Sequence, residues 1–262
     1  HGEIYMIGAF VALVVSGVLT IYGFSGVSIL ILAALIAIIY SAAYGYTLEK
    51  IAYRPLRGAP RLSPLISAIG MSLFLQNYVL LAQTADFLPF PELVPEFEFM
   101  EPIAHIMGSA ELIILITSAI TMIGLTLLIK YTRIGKAMRA TQQDMVMARL
   151  TGINVDRVIS VTFIIGSVLA AIAGVLVGSY IGQINYFIGF MAGVKAFTAA
   201  VLGGIGNIPG AALGGLVLGL AEAMAAGYIS SAYEDVFAFG VLVLILILRP
   251  SGLLGKAVKQ KV

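Results

Sequence analysis

Long uncharged apolar runs alternate with shorter polar stretches along the whole chain of 262 residues. A bilayer core about 30 Å thick is crossed by roughly 20 residues of α-helix, and most of the runs approach that length. The pattern predicts an all-α protein with a single domain over 1–262, a polytopic transmembrane helix bundle of about eight membrane segments. The predicted membrane helices cover 4–21, 27–48, 63–81, 112–129, 158–181, 188–202, 211–228 and 236–248.

The charges are segregated between the polar stretches. All but one of the 15 Lys and Arg residues fall in three stretches, and Lys195 is the exception. Basic loops of membrane proteins stay in the cytoplasm. We therefore predict that these three stretches, the last of which is the C-terminal tail, are cytoplasmic, and that the acidic segment 86–111 and the turn 234–235 are external. The basic stretches are 50–61, 130–157 and 249–261.

The number of membrane crossings in the region 183–228 follows from the predicted sides of the segments that flank it. The chain is predicted to be inside at Arg157 and outside at Glu234, so it crosses the membrane an odd number of times between them. A single crossing leaves too much apolar chain unplaced, whereas three crossings accommodate it. We therefore predict a turn over 203–210 between two membrane segments, the first of which is short or broken.

The composition excludes a soluble globular domain. Hydrophobic residues make up 60% of the chain and charged residues 11%, and no soluble fold hides that much apolar surface. There is no Cys, and the two His, His1 and His105, are far apart in sequence. We therefore expect no metal site.

Two polar loops have a recognisable character. The extracytoplasmic acidic loop, 82–111, contains four prolines that disfavour a long helix, so we predict an ordered loop with at most a short surface helix. In the basic loop 49–62, Pro55 and Pro60 disfavour helix as well.

Candidate chemistry is sparse. The chain has neither the phosphate-binding Gly-x-x-x-x-Gly-Lys-Ser/Thr nor a Gly-x-Ser-x-Gly nucleophile elbow, which argues against an ATPase or an enzyme. Lys195 and Glu222 are the ionisable residues inside predicted spans, where a charge is costly. Because their helices are antiparallel neighbours, the two side chains are placed so that they can pair, and the structural alternative is a salt bridge or a charge that snorkels to the membrane surface. The pair is either structural or part of a substrate pathway.

The second basic loop, 131–157, is predicted to carry an amphipathic helix. Apolar or small residues recur at helical spacing on one face, Gly152 is placed to end the helix, and Asn154 is placed to N-cap the next span. Such a helix either lies at the lipid headgroups or docks into a groove of a soluble partner. The residues of the face are Ile134, Met138, Thr141, Met145 and Ala148.

The stretch 135–157 resembles the cytoplasmic loop of ABC importer permeases. Together with other stretches, it makes the chain similar to the LivH-type permease subunits of bacterial branched-chain amino acid ABC transporters. Those stretches are 1–8, 53–57, 66–72 with Gln76 and Asn77, 189–193 and 195–206.

This resemblance implies that the loop helix couples a cytoplasmic ATPase to the membrane bundle. The residues at the matching positions are Arg139, Ala140, Asp144, Ala148, Gly152 and Asn154. For the substrate pathway the candidates are Lys195, Glu222, Gln76 and Asn77.

The implied function is that of a permease subunit, not an enzyme, in an ATP-driven importer of leucine, isoleucine and valine. The implied partners are two cytoplasmic ATPase subunits, an extracytoplasmic amino-acid-binding protein and a second permease, either a different subunit or a second copy. The chain itself is expected to bind no cofactor and no nucleic acid, ATP being used by the partner ATPases. It is expected in the bacterial inner membrane, with a further helix preceding His1.

The alternative that the residues leave open is an ATPase-independent carrier or channel for small amphiphilic solutes, with Lys195 and Glu222 as its coupling pair. A remoter alternative is an intramembrane enzyme.

Overall fold

The computed structural model describes residues 1–60, 62–94, 108–249 and 251–255. Over these residues the chain is almost entirely α-helical, with one pair of two-residue strands, β1 (Leu88–Pro89) and β2 (Gln183–Ile184). The helices are α1 (Gly2–Ile21), α2 (Val27–Leu48), α3 (Leu62–Ala82), α4 (Ser109–Tyr131), α5 (Arg133–Gln143), α6 (Met145–Leu150), α7 (Val155–Ile181), α8 (Ile188–Gly203), α9 (Ile208–Tyr228) and α10 (Glu234–Leu248).

Six helices of the described chain are long and apolar enough to cross a membrane: α1, α2, α3, α4, α7 and α9. Two further apolar helices are shorter, α8 with 16 residues and α10 with 15, which corresponds to about 24 and 22 Å. The predicted all-α bundle of about eight membrane segments is confirmed. Apart from a C-terminal extension of α2, the predicted ends lie within one helical turn of the observed ends.

The described chain divides into two compact units, His1–Thr121 with Leu127–Ala192, and Met122–Thr126 with Gly193–Val262. In the first unit α1, α2 and α7 pack together around a core to which α1 contributes most. Met6 and Ala9 of α1 are completely buried. This three-helix core holds the α4–α7 loop described below, because α7 begins where that loop ends.

Small residues allow the three core helices to approach closely. A Cβ added at Gly8 of α1 would lie 2.8 Å from Cα of Ala171, and one at Gly174 would lie 3.1 Å from the carbonyl carbon of Tyr5. Backbone contact of this kind is typical of membrane helix pairs.

The loop 82–111 contains a strand that the sequence did not predict. β1 pairs antiparallel with β2, and the amide of Phe90 donates to the carbonyl oxygen of Gly182 (2.9 Å). The amide of Leu93 donates to Oγ of Ser179 at the end of α7 (2.9 Å). These bonds hold the first part of the acidic loop against the α7–α8 turn. The predicted short surface helix stays a prediction, because residues 95–107 of this loop lie outside the described part of the chain.

The basic loop 49–62 is more helical than predicted. α2 continues into a π-helical turn, Glu49–Tyr53, and a 3-10 turn, Arg54–Leu56. Pro55 is accommodated because it lies at the start of the 3-10 turn, where its missing N–H removes no helical hydrogen bond. The expectation that Pro55 disfavours helix in this loop was therefore wrong over Glu49–Leu56.

In the second unit a tight turn joins α8 to α9, in the predicted region 203–210. Asn207 caps α9 by accepting from the amide of Gly210 (3.3 Å), and its side-chain amide donates to the carbonyl oxygen of Leu254 (3.0 Å). The amide of Leu253 donates to the carbonyl oxygen of Leu202 (2.8 Å). The described end of the chain is thus bound to the α8–α9 turn.

Candidate functional site

The loop between α4 and α7 is anchored to the end of α4. Thr132 caps α5 by accepting from the amide of Gly135 (3.0 Å). Gly135 itself packs directly on the backbone of Ile129. The guanidinium of Arg139 donates to the carbonyl oxygens of Ile129 and Lys130, the latter at 3.2 Å. Because these carbonyls lack partners within α4, Arg139 acts as a C-terminal cap.

The single amphipathic helix predicted through Met145 and Ala148 is broken at Asp144. This residue has an extended conformation (φ −157°, ψ 112°), and its Oδ1 accepts from the amides of Val146 (2.8 Å) and Met147 (3.0 Å). Asp144 is therefore the N-cap of a second short helix, α6, a role for which Asp is well suited. The sequence prediction failed because the spacing of apolar residues does not reveal that a side-chain cap ends one helix and starts another.

The end of α6 is as predicted. Gly152 has φ +84°. Its amide donates to the carbonyl oxygen of Arg149 (3.0 Å), and the amide of Ile153 donates to the carbonyl oxygen of Ala148 (3.0 Å). This is a left-handed C-terminal turn of the kind that favours glycine. Asn154 Oδ1 accepts from the amide of Arg157 (3.0 Å) and so caps α7, as predicted.

The apolar surface that this loop leaves exposed differs from the predicted face. Thr141 and Ala148 are buried against the protein's own chain, with 7% and 3% exposed. Ile134 of the predicted face is 48% exposed on α5. Within α5 and α6, the most exposed apolar side chains lie on α6, where their exposed fractions are 53% to 76% and where Met145 belongs to the predicted face. We call them the α6 patch: Met145, Val146, Met147 and Leu150.

The predicted coupling residues are brought together in this loop, but most of them shape it. Asp144, Gly152 and Asn154 form caps and turns, Arg139 bonds to α4, and Ala148 is buried. Ala140 accepts from the amide of Asp144 through its carbonyl oxygen (3.1 Å). Contact of these six residues with an ATPase remains a prediction.

A charge cluster that the sequence did not reveal lies at the start of α7. The Arg57 guanidinium contacts Glu49 through one nitrogen and Asp156 through the other. Arg54 lies 3.2 Å and Arg149 3.9 Å from the carboxylate of Asp156. The cluster joins both described basic loops, which the spacing of charges along the chain could not show.

Lys195 and Glu222, which the sequence places where they can pair, form an ion pair within the second unit, with Nζ 3.2 Å from Oε1. The distance is that of an ion pair, although the Oε1 atom makes no aligned hydrogen bond. The side chains are only 28% and 19% exposed, so both charges are partly desolvated. The attraction between them offsets part of that desolvation cost.

Gln76 and Asn77 have different environments. Gln76 is buried, and its Nε2 donates to Oε1 of Glu3 (2.8 Å), which also accepts from Oγ of Ser72 (2.7 Å). Asn77 is exposed and donates to the carbonyl oxygen of Leu73 in its own helix (2.8 Å). Glu3 was missed, because its position at the start of an apolar run resembles that of a solvent-exposed end.

A cavity of about 360 Å³ lies among α1, α2 and α3 in the first unit. Its lining is mainly aliphatic, with the phenol rings of Tyr40, Tyr44 and Tyr78 on one side. No cluster of three or more His, Cys, Asp or Glu side chains suited to a metal ion occurs in the part of the chain that the structure describes.

Residues 1–246 match the family described as "Branched-chain amino acid transport system / permease component". Among similar proteins, the chain is 50% identical to the high-affinity branched-chain amino acid transport system permease protein BraD of Pseudomonas aeruginosa, over 100% of this chain and 87% of the relative. It is 47% identical to the corresponding permease protein LivH of Escherichia coli K12, over 100% of this chain and 86% of the relative. No solved structure matches the chain.

A more distant similarity covers part of the chain. It is 30% identical to a probable branched-chain amino acid transport permease protein LivH of Methanocaldococcus jannaschii, over 51% of this chain and 44% of that protein.

Proposed function

We propose a function from one premise: this chain belongs to the family of permease components of branched-chain amino acid transport systems. It is a multi-pass membrane protein with the role of a transport subunit. In our proposal it imports leucine, isoleucine and valine, and the ATP is hydrolysed by partner subunits. The α4–α7 loop couples that hydrolysis to alternating access in the membrane bundle.

The observation that carries this proposal is the α6 patch. Met145, Met147 and Leu150 are exposed on a six-residue helix that is capped at both ends and that packs on α5 and α7, and α5 in turn bonds to the end of α4 through Arg139. A short helix that presents Met and Leu side chains is suited to a hydrophobic groove of a soluble partner. Because the loop is firmly bonded, a force applied to α6 reaches the membrane helices.

The substrate preference follows from the relatives and agrees with the apolar lining of the cavity. The side chains of leucine, isoleucine and valine need no polar partner, so a mainly apolar surface such as that of Ile7, Phe10 and Val79 is suited to them. We propose Gln76, Lys195 and Glu222 as polar groups of the pathway, together with the exposed Asn77.

The proposed assembly contains two ATPase subunits, an extracytoplasmic amino-acid-binding protein and a second permease, which is either a different subunit or a second copy. The basic loops and the C-terminal tail face the cytoplasm of a bacterial inner membrane, following the positive-inside rule. The acidic loop 82–111 then lies on the side of the binding protein, where its negative charge favours encounter with a basic surface.

Leu150→Glu tests the proposal. The substitution places a charge at the most exposed side chain of the α6 patch, and we expect the ATPase subunits to be lost on purification of the assembly. Leucine uptake into vesicles should fall at least tenfold, because loss of an interface anchor typically costs about 2 kcal/mol or more. The control is Tyr22→Glu, at an exposed position (77%) in the α1–α2 turn, which should retain both.

Retention of the ATPase and of uptake in the Leu150→Glu assembly would contradict the docking role. Uptake by the wild-type chain in vesicles that lack any ATPase would favour the ATPase-independent carrier instead.

A further inference from the structure

We propose that a partly buried charge cluster, Glu49, Arg57 and Asp156 with Ser160, transmits the movement of the α4–α7 loop to α2 during the transport cycle. The inference rests on the proposed function, because it assigns the residues through which the docked loop acts. These residues are positioning residues: they touch neither the substrate nor the ATPase in our scheme. Their role follows from where the cluster lies and from how its members are bonded.

Glu49 is the most deeply buried member. Its side chain is 1% exposed, and it lies in the π-helical turn that extends α2. Its Oε1 accepts from Arg57, and its Oε2 accepts from Oγ of Ser160 on α7 (2.6 Å). A buried carboxylate is stable only with such partners, since removal of one leaves an uncompensated charge. Glu49 therefore holds the end of α2 to α7 by specific bonds.

Arg57 connects this site to the start of α7. Its two terminal nitrogens bond different carboxylates, Nη1 that of Asp156 and Nη2 that of Glu49. The planar fork of arginine suits this arrangement, whereas lysine offers one point charge. The Arg57 and Glu49 side chains are 17% and 1% exposed, so solvent screens that bridge weakly, whereas Asp156 is 41% exposed and its bridge to Arg57 is screened more.

Asp156 places the cluster next to the docking helix. It lies in the first turn of α7, four residues after the Gly152 turn that ends α6. Arg149 of α6 lies 3.9 Å from the same carboxylate. A displacement of α6 therefore moves Asp156, then Arg57, and then Glu49 on α2, whose helix packs on both α1 and α7. The path is a contiguous set of ionic and hydrogen bonds between rigid helices.

The test measures how much leucine enters per ATP hydrolysed, in vesicles that contain the complete assembly with its binding protein. The test variants are Arg57→Lys, Asp156→Asn and Ser160→Ala, each of which removes one link. We expect this ratio to fall by at least about fivefold in Arg57→Lys, the lower end of typical coupling between sites, with ATPase subunits retained on purification. Thr162→Val is the matched control, because the hydroxyl of Thr162 bonds only to its own helix, at the carbonyl oxygen of Val158 (2.8 Å).

The variant with both Arg57→Lys and Asp156→Asn should transport no worse than Arg57→Lys alone, since both changes break the same path. The relay would be overturned if the ratio of leucine uptake to ATP hydrolysis were unchanged in all three single variants, including the case in which uptake and hydrolysis fall equally. The cluster would then have a structural role only. Loss of the proposed function itself is distinct, because the wild-type assembly would then contain no ATPase or show no ATP-dependent uptake.

Discussion

At the scale of single residues, Gly152 determines how α6 meets α7. Its φ of +84° is in the left-handed region, while an added Cβ would meet no atom within 4 Å. Gly152→Ala should therefore cost about 1–2 kcal/mol through backbone strain alone, and it should lower leucine uptake by loosening the loop. Thermal unfolding in detergent and uptake in vesicles measure the two effects. Gly17→Ala, at an open helical position, should not destabilise, and an equal loss in both variants would refute the strain argument.

Substitutions of Lys195 and Glu222 show whether their ion pair is structural or part of the transport pathway. Lys195→Met leaves a carboxylate that is only 19% exposed without its cation, whereas a double variant with Glu222→Gln removes both charges. We expect the double variant to be more stable than the single one, with an interaction energy of about 0.5–3 kcal/mol, measured from the thermal unfolding of all four proteins. Uptake by the double variant decides the role: retained uptake supports a structural pair, and its loss supports the pathway.

At the scale of the elements, close packing against α1 should limit the size of the side chains that α7 tolerates at its contact positions. Gly174 faces the backbone of Tyr5, and the amide nitrogen of Ala9 would lie 3.3 Å from an added Cβ. Gly174→Val should destabilise the first unit by about 1–3 kcal/mol, the usual range for overpacking. The matched control is Gly219→Val on α9, where no atom lies within 4 Å. The comparison uses the unfolding temperature in one detergent, and equal shifts in both variants would contradict the packing argument.

The helix bounds that depend on hydropathy could be predicted from the sequence, and the features that depend on tertiary contacts could not. The bounds of α2 and α9 follow from the length of their apolar runs, because each apolar residue favours lipid independently of its neighbours. The extension of α2 through Pro55 depends on the buried Glu49, and the break at Asp144 depends on a side chain that caps two amides. Such bonds form between particular atoms and leave no periodic signal.

The candidate site shows the same division. Gly152 and Asn154 were predicted because their conformations are local preferences. The exposed side of α6 was not, since exposure depends on what α5 and α7 cover: Ala148 is buried and Leu150 is 76% exposed. Resemblance to a family identified the loop, and the contacts within it identified which side chains remain free to meet a partner.

At the scale of the whole molecule, segments predicted on one side of the membrane meet one another within each unit. In the first unit the acidic loop pairs with the α7–α8 turn through β1 and β2, and the basic loops meet at Arg57 and Asp156. In the second unit the α8–α9 turn binds the segment at Leu253. These pairings agree with alternate crossings by successive long helices. Which side is cytoplasmic remains a prediction from the positive-inside rule.

Single cysteines test that orientation directly, because the chain has no Cys of its own. Met147→Cys, in the α6 patch, and Ala85→Cys, in the acidic loop, both occupy exposed positions. In cells that lack the ATPase subunits, a thiol reagent that does not cross membranes should label position 85 in intact cells and position 147 only in inverted vesicles. Ala37→Cys, completely buried in α2, should react in neither preparation. Labelling of position 147 in intact cells would place the coupling loop outside, where no ATPase could bind it, and both the relay and the proposed mechanism would be lost with it.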